Sequence, residues 1–271
     1  MHYVAEHKWL IRLALDGHKT ETTLRAANTQ ASFPALRAGD ILAPARPDAD
    51  RRIGVYEGLC LVAGTQAPAI ARGLGRMADS MDTGHHYGAY GPRARPFLPA
   101  LVQAVQDEPG SRRLVVPLYR GDDLLASTGA LAANDVPCTL AFVFARDAHV
   151  LNMTAVMRSQ DLWWGLTYDA VQFSMLLTAV AAAAALHPGR VTIPCVDSHV
   201  YEQHVMRAAA WANDSAPPDR AESPLPVLSQ HETWQAQVEA AGAALAAVEH
   251  GAPLASDAPW LDQIVNEWHD A

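Results

Sequence analysis

The chain has 271 residues, with 20 Lys+Arg against 29 Asp+Glu and a formal net charge of −9. Half of the residues are hydrophobic and 18% are charged, which supplies a large core and is too little charge for a disordered chain. The acidic balance argues against a general nucleic-acid binder, although a few local arginines can still hold one phosphate.

In chain order, residues 9–15 form an amphipathic start, and the polar, Ala- and Pro-punctuated stretch up to residue 50 receives no assignment. Helical apolar spacing runs over residues 53–63 and stops at Gly64. Residues 84–88 are a glycine-bracketed loop, residues 96–106 a helix closed by Asp107-Glu108-Pro109-Gly110, and residues 114–118 a strand. Two β-rich runs, 138–144 and 150–157, flank a turn at 145–148 and predict a hairpin. A helix over 169–186 follows, ended by His187-Pro188-Gly189, then a short strand at 191–196 and a helical stretch at 199–211. Residues 213–229 read as a surface loop and 231–250 as an amphipathic helix. This order predicts one α+β domain over residues 1–271, with a mixed β-sheet packed by helices.

The longest apolar stretch, 173–186, contains Ser174 and Thr178 and is shorter than the roughly 18–20 residues of a membrane span, so it reads as a core helix. Glu6, Lys8, Arg12 and Asp16 interrupt any signal-peptide core at the N-terminus. Cys60, Cys138 and Cys195 are odd in number and lack metal-ligand spacing. The expectation is a cytoplasmic protein with no membrane, nucleic-acid or metal partner.

Several residues could carry chemistry. Cys138, in Val136-Pro137-Cys138-Thr139, lies where a loop feeds a strand; it is either a small buried hydrophobe or a nucleophile activated by a cation such as Arg158. Ser111-Arg112-Arg113 and Arg158-Ser159 combine guanidinium with hydroxyl, the chemistry of a phosphate grip. His199 and Tyr201 share a face at period 2. Glu57 is a carboxylate in an otherwise apolar helical run, where burial would raise its pKa and suit it to proton transfer.

Taken together, their order and spacing resemble the thymidylate synthase family. The resemblance rests on Pro137-Cys138, the run Arg158-Ser159-Gln160-Asp161-Leu162-Trp163-Trp164-Gly165-Leu166-Thr167-Tyr168-Asp169, and His199-Val200-Tyr201. Upstream, Asp107-Glu108-Pro109-Gly110-Ser111-Arg112-Arg113, Glu57 and Tyr87-Gly88 look like the family's Arg-Arg segment, catalytic Glu helix and Tyr-Gly loop. It covers roughly residues 50–210; residues 1–50 and 215–271 diverge. Thr139 stands where the synthases usually have His, and Thr167-Tyr168 replaces Pro-Phe.

Two departures shift the expected chemistry. Asp169 replaces the Asn that reads the uracil edge, and a carboxylate accepts from the 4-amino group of cytosine, as in the deoxycytidylate hydroxymethylase branch. As a bland alternative, Asp169 caps the helix it begins. No Trp occurs between Trp9 and Trp163, and the chain ends without the family's apolar tail, so water would reach the activated carbon and yield hydroxymethyl rather than methyl.

The resemblance thus implies a one-carbon transferase with the thymidylate synthase-like fold. Cys138 would add to C6 of a pyrimidine nucleoside monophosphate. Glu57 and Tyr87 would serve proton transfer, with Asp169 at the base edge. His199 and Tyr201 would hold the sugar 3′-hydroxyl, Arg158 and Ser159 the 5′-phosphate, and Asp161 and Gly165 the folate, 5,10-methylenetetrahydrofolate. Arg112 and Arg113 would reach the phosphate across a sheet-face interface, making a homodimer with shared active sites. Deoxycytidylate is the favoured substrate, with cytidylate close behind because no nameable residue excludes a 2′-hydroxyl. A methyl-transferring pyrimidine synthase and a non-catalytic nucleotide-binding relative are the alternatives.

Overall fold

A computed structural model describes residues 3–37, 46, 48–66, 87–127, 135–214, 228–229 and 231–269. Six strands form one sheet: β1 (His18–Lys19), β2 (Thr23–Pro34), β3 (Val115–Pro117), β4 (Thr139–Asp147), β5 (Val150–Asp161) and β6 (His187–Tyr201), in the order β1-β2-β6-β5-β4-β3. The expected hairpin is β4–β5, antiparallel from Asp147↔Val150 to Thr139↔Met157. Among the described strands, only β5 and β6 pair in parallel. A parallel pair requires a crossover, which is helix α6 below.

The helices are α1 (Tyr3–Leu15), α2 (Arg51–Ala63), α3 (Tyr90–Ala94), α4 (Leu98–Asp107), α5 (Gly121–Ser127), α6 (Gly165–Ala183), α7 (Val205–Asn213), α8 (Trp234–His250) and α9 (Pro259–His269). The chain is therefore α+β with a mixed sheet, as expected. α6 is apolar all round and buried from Leu166 to Ala183, the pattern of a central core helix. It is the one described helix long and apolar enough to cross a membrane, and it is wholly enclosed by the protein.

α2 lies against α6 because it presents glycine where other residues would collide. A Cβ on Gly54 would stand 2.9 Å from the Val171 Cβ, and one on Gly58 would stand 2.5 Å from the Met175 sulfur. Both are on the face that meets α6, so the two helix axes approach closely and carry Glu57 up to Gln172. Asp50 caps the start of α2 by accepting from the Arg52 amide, and Gly64 ends it with φ 72°.

Several elements differ from the sequence expectation, which assigned nothing to β1, α3 or α5. β2 occupies part of the unassigned stretch before residue 50. β6 is longer than residues 191–196, so His199 and Tyr201 lie on the strand and not on a helix; α7 starts only at Val205. α9 was not anticipated. Residues 84–86 of the expected loop, and most of 213–229, lie outside the described residues.

Candidate active site

A cleft of about 780 Å³ opens between α2, the residue 88–91 segment, the head of β4, the end of β5 and the start of α6. Its walls include Glu57, Cys138, Ser159, Asp161, Gly165, Asp169 and Tyr201. Residues far apart in the chain thus meet where the sequence analysis expected one site.

Cys138 sits just ahead of β4. The β4–β5 register slips between Thr139 and Ala141, a bulge of the kind that re-aims side chains beside active sites. Burial pushes the Cys138 thiol up to about 11, and the positive charge of Arg158 opposes that rise. Arg158 does not point its whole fork at an open phosphate site. Its Nε donates to the Pro137 carbonyl and its Nη2 to the Val136 carbonyl, both at 2.9 Å. Arg158 therefore fixes the cysteine loop and sets a cation beside the thiol.

In the same cleft lining, four polar side chains form a hydrogen-bonded chain. Gln160 Nε2 donates to Asp169 Oδ2 at 2.8 Å, and Gln172 Nε2 donates to Asp169 Oδ1 at 2.9 Å and to Glu57 Oε2 at 3.2 Å. Burial raises the Asp169 carboxyl to about 7 against the pull of the two amides. Burial raises Glu57 to about 8, with the Asp169 and Asp135 charges adding to the rise. Both acids titrate near neutrality, as proton-transfer groups must. Asp169 is not the N-cap of α6, which is Trp164; it lies one turn inside, so the capping alternative falls.

Asp161 Oδ1 accepts from the Trp163 and Trp164 amides at 2.9 and 3.1 Å, tying down the turn into α6. Gly165 opens that helix, and a Cβ there would stand 2.8 Å from Gln160 Nε2. On β6, His199 and Tyr201 do share a face, with ring centroids 4.9 Å apart at 89°, and Ser159 Oγ lies 3.5 Å from His199 Nδ1.

Three expected residues are placed elsewhere in this chain. Arg112 and Arg113 are exposed on the turn before β3, where Arg113 pairs with Glu108 at 3.3 Å; neither lines the cleft. The Tyr87 phenol engages Asp123, and its ring lies under the Arg93 guanidinium, 5.0 Å from the centroid. Tyr90 lines the cleft instead, with its phenol raised by burial among Asp169, Cys138 and Thr139. The dipeptide Tyr-Gly occurs twice, at 87–88 and 90–91, and that repeat was the available signal. Sequence reasoning also missed Gln160, Gln172 and Asp135, whose carboxylate accepts from the Gly88 amide at 3.1 Å.

Glu57, Cys138, Asp169 and Tyr90 together equip the cleft for nucleophilic addition to an electrophilic ring with proton transfer at its edge. Comparisons with known proteins find similar sequences. The deoxyuridylate hydroxymethyltransferase of Pseudomonas phage M6 is 32% identical over 184 residues, 64% of this chain and 51% of that protein. The thymidylate synthase of Mycoplasma genitalium is 30% identical over 121 residues, 43% and 40% of the two chains. That of Encephalitozoon cuniculi is 32% identical over 104 residues, 38% and 33%. The chain thus spans about half the length, or less, of these curated relatives. The sequence model of thymidylate synthase matches residues 83–234, more than half of the chain and most of the cleft, and the protein belongs to the thymidylate synthase family.

Proposed function

We propose that the protein is a folate-dependent hydroxymethylase acting at C5 of a cytidine monophosphate, with deoxycytidine monophosphate preferred. The observation that carries this is Asp169, a buried carboxylate in the same cleft as Cys138 and Glu57. A carboxylate accepts from the 4-amino group of cytosine, and its negative charge beside the base edge favours a proton on N3, which makes C6 more electrophilic. Uracil instead presents a 4-oxo lone pair to it.

Cys138, as thiolate, adds to C6, and the electron pair of the C5–C6 double bond makes C5 a nucleophile. Arg158 supplies positive charge where the thiolate forms. C5 would take up the one-carbon unit, and removal of the C5 proton by Tyr90 with Glu57 would break the bond from that carbon to the folate nitrogen, releasing tetrahydrofolate and leaving an exocyclic methylene on C5. Glu57 then orients a water that adds to the exocyclic methylene, and expulsion of Cys138 restores the double bond. His199, Tyr201 and Ser159 hold sugar and phosphate. Arg112 and Arg113 complete the phosphate grip from a second copy docked on the open sheet face, where Val196 is 58% exposed and Val143 and Val156 are only half-buried.

The cleft volume is within the range of small-molecule sites, and Ile53, Trp164 and Tyr168 give it an apolar wall on which a flat heteroaromatic ring can lie. These residues, with Asp161 and Gly165, fit 5,10-methylenetetrahydrofolate, which when bound supplies the methylene carbon.

Product mass from dCMP, CMP and dUMP with methylenetetrahydrofolate tests the proposal. A gain of CH2O on cytidylate is expected. A gain of CH2 with dihydrofolate formation would show methyl transfer and overturn it. The name of the phage relative favours a second reading, hydroxymethylation of deoxyuridylate, and turnover of dUMP over both cytidylates would establish that one. Cys138→Ala should abolish tritium release from C5-labelled nucleotide; unchanged release in the variant would overturn Cys138 as the nucleophile, and no release from the wild type would leave a non-catalytic binder.

A further inference from the structure

We infer that Gln160 and Gln172 are specificity-determining residues that hold Asp169 as a pure hydrogen-bond acceptor and so select a 4-amino over a 4-oxo pyrimidine. The inference rests on the proposal that Asp169 reads the base.

Each glutamine commits one N–H to one Asp169 oxygen, at 2.8 and 2.9 Å. The orientation of both amides is forced, since a flipped amide would set oxygen against oxygen. Gln160 is 3% exposed, Gln172 6% and Asp169 7%, so water does not substitute for these donors. Hydrogen bonds to the ionised form favour that form, and here they oppose the burial that raises Asp169. An acceptor-only carboxylate attracts an amino group and repels a carbonyl oxygen. Were Asp169 protonated, it would gain a donor and accept a 4-oxo base as readily.

A second observation points the same way. Gln160 Oε1 is buried and has no hydrogen-bond partner among the described residues, and an orphaned buried acceptor calls for an explanation. It gives the same wall a second acceptor. An exocyclic amine carries two hydrogens, one for Asp169 and one for Gln160; a 4-oxo group carries none. Gly165 preserves the arrangement, since any side chain there would press on the Gln160 amide.

The test measures kcat/KM for dCMP and dUMP, and the pH dependence of tritium release from C5-labelled dCMP, in wild type, Gln160→Met, Gln172→Met, Asp169→Asn and the double variants. Each methionine variant is expected to lower the dCMP/dUMP ratio about tenfold. The acidic limb for dCMP should move to higher pH, because Asp169 loses a donor. In the Asp169→Asn background the same substitutions should leave the ratio unchanged. If the methionine variants lose activity on both nucleotides in proportion, with the acidic limb unmoved, the glutamines are merely structural and the inference is overturned. Wild-type enzyme supplies an arm that needs no variant: N4-methyl-dCMP, which lacks one amine hydrogen, should bind about tenfold more weakly than dCMP, and equal binding counts against Gln160. Asp169→Asn exchanging the base preference while the glutamine variants keep it overturns this inference alone. A wild type that favours dUMP overturns the base-reading proposal and this inference with it.

Discussion

Two tyrosines three positions apart give opposite expectations. Tyr87 spends its phenol on Asp123, so Tyr87→Phe should leave kcat within about twofold. Tyr90 stands in the cleft wall beside Cys138 and Asp169, so Tyr90→Phe should lower kcat about 100-fold, the range of one general acid–base group. Steady-state rates with dCMP check both. Gly165→Ala should lower kcat/KM about tenfold while changing thermal stability little, because the new methyl displaces one amide, held by Asp169, rather than backbone. At this scale the sequence was legible wherever a residue type carries its own chemistry: the thiol of Cys138, the misplaced carboxylate of Glu57, the Asp169 replacement. It was illegible for Gln160 and Gln172, because a side-chain amide is ordinary until folding sets a carboxylate against it. Arg158 was read as a phosphate ligand because a guanidinium looks available until the carbonyls that occupy it are in place.

Elements with one strong period were equally plain. α2, α4, α8 and the β4–β5 hairpin follow their apolar spacing. β2 did not, for a reason visible in its burial: the inward residues are Ala26, Thr29, Ala31 and Phe33, small except the last. Asn28, at φ 53°, shifts the alternation by one between Ala26 and Thr29. A strand with little inward bulk and a broken phase leaves no period-2 signal. The short α3 is held in place by chemistry rather than by propensity. Arg93 donates to Asp123 at 2.7 and 2.9 Å and to the carbonyls of Tyr87 and Leu118, with both charged side chains nearly inaccessible. Asp123→Ala strands that guanidinium, and chemical denaturation should show a loss of roughly 3–5 kcal/mol. Since α3 begins at Tyr90, activity should fall as well, well below the denaturation midpoint.

For the whole molecule, the buried acids make stability depend on pH in a definite direction. Asp169, raised to about 7, binds its proton more tightly folded than unfolded, so its contribution favours folding at low pH. That contribution is lost as pH rises from the ordinary carboxyl range through 7. Asp169→Asn removes the titration, so thermal denaturation should show the variant gaining on wild type by on the order of 3 kcal/mol between pH 5 and 8. A constant difference would place the titration elsewhere. Assembly has its own check. If Cys138 and the paired arginines of one site come from different copies, as proposed, mixing Cys138→Ala and Arg113→Ala chains should restore turnover, and a mixture that stays inactive would argue for sites complete within one chain. One topological detail bears on how the molecule is made. β6, the last of the described strands, is not at an edge but seats between β2 and β5. During synthesis the early ribbon of β1 and β2 must therefore wait, its long edge unmated, until residues 187–201 leave the ribosome. A stalled or truncated chain would offer that naked edge to its neighbours, so clumping of nascent fragments, rather than slow turnover, is the hazard this strand order builds in.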